Sequence, residues 1–156
     1  MRAFVIFLSA LVGVFLIDQG LKTLFLDGFD WQSRCISLEL HINKGVAFSM
    51  LSFLGENLKW LQLGLIGLLA YLAIGEGWLK KYPLSVGLLA GGAVGNLYDR
   101  FLRDGVVDFV YWHCGFNFAV FNFADVMIDL GIGLILLQEF LKYKASKNWN
   151  FCFLYF

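Results

Sequence analysis

The sequence predicts an all-α integral membrane protein of four transmembrane helices with a folded outer loop. Three observations predict it. The chain is 60% hydrophobic and 15% charged, whereas a soluble domain is about half apolar and a quarter charged. A single core built from 156 residues cannot hide that much apolar surface, so lipid is the better solvent. Four stretches approach the ~20 apolar residues that cross a bilayer. The few acids that interrupt them stand where intramembrane polar groups have work to do.

The first span covers residues 3–26. Its start, "MRAFVIFLSALVGVFLIDQG", has the look of a signal peptide, with Arg2 ahead of an apolar run. The run continues to residue 26 with no convincing cleavage site, so it reads as a retained span. An outer loop follows over residues 27–57. In "CISLELHIN", Ile36, Leu38, Leu40 and Ile42 alternate with Ser37, Glu39, His41 and Asn43, the period of a strand with one wet face. "VAFSMLSFLGEN" is short and amphipathic, suited to the membrane surface. The second span takes residues 58–75 and the third 84–101, separated by "KKYP". Gly87, Gly91 and Gly95 recur every four residues in the third, a small-residue stripe for close helix packing or for self-association. The fourth span takes residues 118–141, and aromatics in the closing "NWNFCFLYF" suit the headgroup zone. Neither a repeat nor a second domain is visible, so residues 1–156 read as one membrane-embedded domain. Arg2, Lys80, Lys81, Lys142, Lys144 and Lys147 outweigh Arg34, Lys44, Arg100 and Arg103. That places both termini in the cytoplasm.

Several classes are excluded. Net charge is zero and no basic tract occurs, so nucleic acid is not an expected partner. Cys35, Cys114 and Cys152 are odd in number and widely spaced, which argues against a disulfide framework or a zinc site. His41 and His113 lack HExxH spacing and read as structural. No metal and no cofactor are expected, and no oligomer is implied.

The chemistry rests with the polar residues. Asp18 and Lys22 share one helix face; they either neutralise each other or shape a polar site. Asn96, Asp99 and Arg100 close the third span, as a solvated helix end or as part of a site. Asp108 lies between Val106, Val107, Phe109 and Val110, and Asp125 follows Asn122 in "FNFADV". Either acid alone fits a helix cap. Together, in a poorly hydrated pocket, two carboxyls cannot both ionise easily and share a proton. One then acts as general base on water while its protonated partner polarises a carbonyl. That is aspartic peptidase chemistry. Asn43, Asn96 and Asn122 can supply neutral hydrogen bonds to it. A small proton relay or transporter is the alternative, since intramembrane acids cluster there too, but transporters bring internal repeats. A non-catalytic assembly factor would explain the glycines and not the acids.

The chain resembles the bacterial lipoprotein signal peptidase (signal peptidase II) family along nearly its whole length. "DQGLK" resembles a D-x-x-x-K block, with Asp18 and Lys22. "NKGVAF" resembles N-x-G-x-A-F, with Asn43, Gly45, Ala47 and Phe48. "GNLYDR" with "GVVDF" resembles the third block, with Asn96, Asp99, Arg100 and Asp108. "FNFAD" resembles the fourth, with Asn122, Ala124 and Asp125. The resemblance implies an enzyme of the inner membrane that cleaves the signal peptide of prolipoproteins before a diacylglyceryl-modified cysteine. It implies a catalytic dyad at Asp108 and Asp125 near the extracytoplasmic face. Asn43, Gly45, Arg100, Asn122 and Ala124 would line the site, with Asp18 in support. It further implies inhibition by globomycin, contact with membrane lipid, and an outer β-cradle with a short surface helix. Gly45 and Gly55 would hinge that loop as a lid, with Phe48 over lipid. Two features depart from the family pattern. Ile42 stands where members often carry Arg. Asp129 follows Asp125 by one turn, outside the motif; it either pairs with Lys22, holds a proton or tunes the dyad.

Overall fold

The computed structural model describes residues 1–45, 52–116 and 118–152. In chain order the elements are helix α1 (Arg2–Leu26), strands β1 (Trp31–Gln32) and β2 (Ile36–Asn43), a 3-10 turn (Ser52–Leu54), helices α2 (Asn57–Gly75), α3 (Trp78–Lys81) and α4 (Pro83–Leu102), strand β3 (Val106–Trp112) and helix α5 (Phe123–Cys152). By length and composition, α1 and α2 can each cross a membrane. The protein is thus mostly helical, with one small antiparallel sheet of order β1-β2-β3.

Strand β2 forms where the alternation predicts it. Its partner β3 was not anticipated. Val106, Val107, Asp108 and Phe109 are all buried, so this stretch shows no period of two for a sequence reading to find. The sheet is therefore built from both the α1–α2 and the α4–α5 connections, not the first alone. β2 also carries one extra residue. Leu38 pairs with Val110 but His41 with Asp108, so Glu39 and Leu40 together face Phe109, a bulge.

α5 starts at Phe123, later than the expected boundary at residue 118. The residues just before it run along the free edge of β3 instead. Phe109 N–H and Val110 N–H donate to the Phe121 carbonyl (3.1 and 2.9 Å), and Phe121 N–H returns to Val110 (3.1 Å). This bridge delivers the first turn of α5 to the side of β3.

The cysteine expectation is overturned: Cys35 and Cys114 form a disulfide. Ile36 pairs with Trp112 and His113 N–H donates to the Cys35 carbonyl at 3.0 Å. Strand register thus brings together two residues 79 positions apart, with Cα atoms separated by 4.4 Å. Pairing made by register leaves no trace in spacing. The first half of the expected surface helix, residues 46–51, lies outside the described residues, and with it Ala47, Phe48 and that part of the expected lid; its second half forms the 3-10 turn Ser52–Leu54 and runs into α2.

The glycine stripe of α4 packs within the chain. A Cβ on Gly87 would lie 2.6 Å from the Phe7 carbonyl oxygen, and one on Gly91 2.7 Å from that of Leu11. α1 therefore occupies the stripe that self-association would need. On the neighbouring face, a Cβ on Gly92 would meet the Ala124 carbonyl oxygen at 2.5 Å, so α5 also sits close. Backbone does not yield as a flexible side chain does. Gly91→Ala is accordingly expected to lower stability by about 1–3 kcal/mol, read as an earlier thermal unfolding transition in detergent. An unchanged transition would show that the α1–α4 contact is looser than described.

Candidate active site

The bridge along β3 sets up a helix cap. Asn122, just before α5, accepts at Oδ1 from Asp125 N–H (2.9 Å), and Asp125 Oδ2 accepts from Asn122 N–H (3.1 Å). This reciprocal capping box fixes the Asp125 side chain at the start of α5. Its second oxygen, Oδ1, accepts from Asn96 Nδ2 of α4 at 2.8 Å. Asp125 is thus a cap residue and a cavity residue at once, and the two sequence readings do not compete.

Asp108 is held in the same manner. Its Oδ1 accepts from Asn122 Nδ2 (2.7 Å) and its Oδ2 from Asn43 Nδ2 (2.9 Å). Asn122 therefore touches both acids, one through its side chain and one through its backbone. Both acids line a cavity of about 510 Å³ together with Asn43, Asn96 and Arg100; Leu58, Leu61, Leu65 and Ile128 form much of its apolar wall. Burial lifts the Asp108 carboxyl from the usual 3.8 to about 6; the Asp125 charge pushes the same way, while the Asn43 and Asn122 amides and the Lys22 charge oppose it. A folded value above the unfolded one means that ionising Asp108 weakens the fold, progressively as pH rises from about 4 to 6.

Behind the acids sits a buried ion cluster. Lys22, fully buried, lies 2.8 Å from Asp18 and 2.7 Å from Asp99 and donates to Asn96 Oδ1 at 2.9 Å. Its three protons are all engaged. Asp18 also accepts from Ala124 N–H in the first turn of α5 (3.1 Å). Asp99 accepts from Val107 N–H beside Asp108 (3.2 Å) and from Arg103. Asp99 and Arg100 are therefore buried and not a solvated helix end. The cluster ties α1, α4, α5 and β3 into one frame around the two acids, and Phe25 of α1 stacks on Phe109 at 4.3 Å to extend it.

A model of the family described as "Signal peptidase (SPase) II" matches residues 10–141. A protein of Sulfurovum sp. named lipoprotein signal peptidase is 59% identical over 140 residues, covering 90% of this chain and 96% of that one. The chain belongs to the signal peptidase II family. A relative of the same name from Sulfurimonas denitrificans is 52% identical over 150 residues, covering 94% of this chain and 95% of its own. A solved structure described as a bacterial membrane enzyme, obtained by the in meso method, superposes with a TM-score of 0.74 at 27% identity, covering 88% of each chain. Signal peptidase II enzymes are proteases of bacterial membranes, and nothing in these likenesses supports the transporter alternative.

Among the described residues, those singled out on the signal peptidase II pattern fall in or against this one cavity; Ala47 and Phe48 lie outside them. Asn43, Asn96, Arg100, Asp108 and Asp125 line the cavity, and Asn122 bonds both acids. Asp18, Lys22, Asp99 and Ala124 form the frame behind. Gly45 donates its N–H to Asn43 Oδ1 (2.9 Å) and accepts at its carbonyl from Arg100. Two glutamines were missed. Gln62 accepts from Arg100 Nε at 2.7 Å and lines the cavity. Gln19 donates to Asp18 and Asp99 (3.1 and 3.2 Å). Gln62 had a signal: it is a lone polar residue inside the apolar run of α2. Of the histidines, His41 bonds Glu39 (2.8 Å) and His113 bonds Ser37 (3.1 Å); His41 is the cross-strand neighbour of Asp108, but neither histidine lines the cavity. Asp129 lines the cavity and does not pair with Lys22.

Proposed function

We propose that this protein is an aspartic endopeptidase of four membrane spans, a single domain over residues 1–156. It removes the signal peptide of prolipoproteins on the N-terminal side of the diacylglyceryl-modified cysteine. The observation that carries the reading is the sharing of one cavity by Asp108 and Asp125, each held by neutral amides. α4 and α5 join α1 and α2 as spans, with both termini in the cytoplasm and the two acids near the outer face of the inner membrane. Large apolar side chains left exposed on three helices, such as Leu16, Leu68 and Leu136, suit a lipid surround.

In the working state one acid is ionised and the other holds a proton. The ionised carboxylate takes a proton from water, whose oxygen attacks the carbonyl of the residue before the lipid-bearing cysteine. The protonated partner gives its proton to the carbonyl oxygen. As the tetrahedral intermediate collapses, the C–N bond breaks and the cysteine amine leaves with the proton taken from water. The new carboxylic acid returns the other proton to the dyad. The lipid anchor holds the scissile bond at the depth of the acids, which supplies proximity. The amide donors on all four carboxyl oxygens aim the dyad, and Lys22 sets the orientation of Asn96 behind it. A globomycin-type inhibitor would compete for the same cavity.

The test is cleavage of a synthetic diacylglyceryl prolipoprotein peptide by the purified protein in lipid. Scission before the lipidated cysteine, and not in an unlipidated copy, is the expected result; no scission of either rejects the reading. In the same assay kcat/KM should fall as pH drops through about 6. There Asp108 takes up a proton and can no longer serve as the base. A rate constant across pH 5 to 8 would contradict that assignment.

A further inference from the structure

Helix α5 places a third carboxyl in the cavity. Asp129 lies one turn beyond Asp125 on the same face of α5 and lines the same space as Leu61, Leu65 and Ile128. It is exposed to that space, and among the described residues its carboxyl has neither a hydrogen bond nor an ion pair. Neither Lys22 nor Arg100 forms an ion pair with it. Lys22 spends its three protons on Asp18, Asp99 and Asn96, while Arg100 bonds Gln62 and Gly45. Asp129 stands in the second turn of α5 (Phe123–Cys152), where an acid within a membrane span is costly to insert. Frame building does not explain it, because Asp129 braces nothing.

We propose that Asp129 is a specificity residue, which accepts a hydrogen bond from a side-chain hydroxyl of the signal peptide close to the scissile bond. The inference rests on the peptidase reading above and deepens it. The chemistry of the substrate selects the occupant. A diacylglyceryl thioether offers ester oxygens and sulfur, which accept hydrogen bonds and donate none. A carboxylate accepts hydrogen bonds and donates none, so its partner is a donor, and the donors lie in the peptide. Geometry selects the position. Four residues of helix advance about 6 Å, and an extended peptide covers that distance in about two residues. The recognised group is therefore a serine or threonine at the second or third residue before the lipidated cysteine. Among substrates that all share the lipid and the scissile bond, such a contact discriminates.

The test uses diacylglyceryl peptides identical except for Ser or Ala at those two positions, cleaved by the full-length protein in lipid. The readout is the ratio of kcat/KM for the Ser peptide to that for the Ala peptide at one of the two positions. Wild-type protein should favour Ser about tenfold. Asp129→Leu should bring the ratio to about one. Asp129→Asn, which keeps an accepting oxygen in the same shape, should leave it between the two. A merely structural role would change both rates together and leave the ratio alone. A wild-type ratio of about one at both positions, or one that survives Asp129→Leu, overturns the assignment. Failure to cleave any lipidated peptide rejects the peptidase reading itself, and the inference with it.

Discussion

Asp125→Asn is expected to lower kcat on a lipidated prolipoprotein peptide by about a thousandfold or more, with the protein still folded and inserted. The size follows from its role. Loss of a positioned general acid or base costs about 10²–10⁴ in rate, and groups acting as one unit lose nearly everything when either is removed. Survival of the fold follows from the cap. The amide oxygen of Asn can still accept from Asn122 N–H, replacing the bond that Asp125 Oδ2 makes at 3.1 Å. What it loses is the second acceptor, now met by Asn96 Nδ2 at 2.8 Å, at a cost of about 1 kcal/mol. Asp108→Asn should be equally inactive for the same reason. It should also be at least as stable as wild type above pH 6, because it removes an ionised, buried carboxylate. Retention of substantial cleavage by either variant would remove that residue from the mechanism.

Lys22→Met should have the largest effect on stability, with a loss of about 3–5 kcal/mol. The side chain is close to isosteric but strips the shared cation from Asp18 and Asp99, at 2.8 and 2.7 Å. Both acids are fully buried. Asp99 keeps Arg103, Gln19 and Val107 N–H, whereas Asp18 keeps only Gln19 and the Ala124 N–H. Asp18 should therefore carry most of the penalty. Replacing it in the same protein, as Asp18→Asn with Lys22→Met, should recover at least half of the lost stability in thermal unfolding. A lone Lys22→Met protein as stable as wild type would mean that the cluster is hydrated and braces nothing.

Much of this arrangement was legible in the residues. Helices α1, α2 and α4 announce themselves by long apolar runs, and β2 by alternation. The candidate site residues announce themselves as polar groups among apolar neighbours, and in that sense Asp18, Lys22, Asn96, Asp108 and Asp125 could be singled out as candidates without coordinates. The boundary of α5 was not legible, because "FNF" is apolar enough to read as helix while its backbone pairs with β3. Strand β3 was hidden for a related reason: buried on both sides, it shows no period. The Cys35–Cys114 disulfide was missed because register, not spacing, brings its ends together.

The division has one physical cause. Composition and periodicity record how each segment partitions between water and lipid, a local property that a sequence carries by itself. Which groups meet across segments depends on long-range pairing, here the Phe121 bridge to β3 and the glycine faces that let α1 and α5 close on α4. Only the folded chain could decide that Asn122 would bond both acids, that Lys22 would be spent on the frame, and that Asp129 would be left facing the cavity.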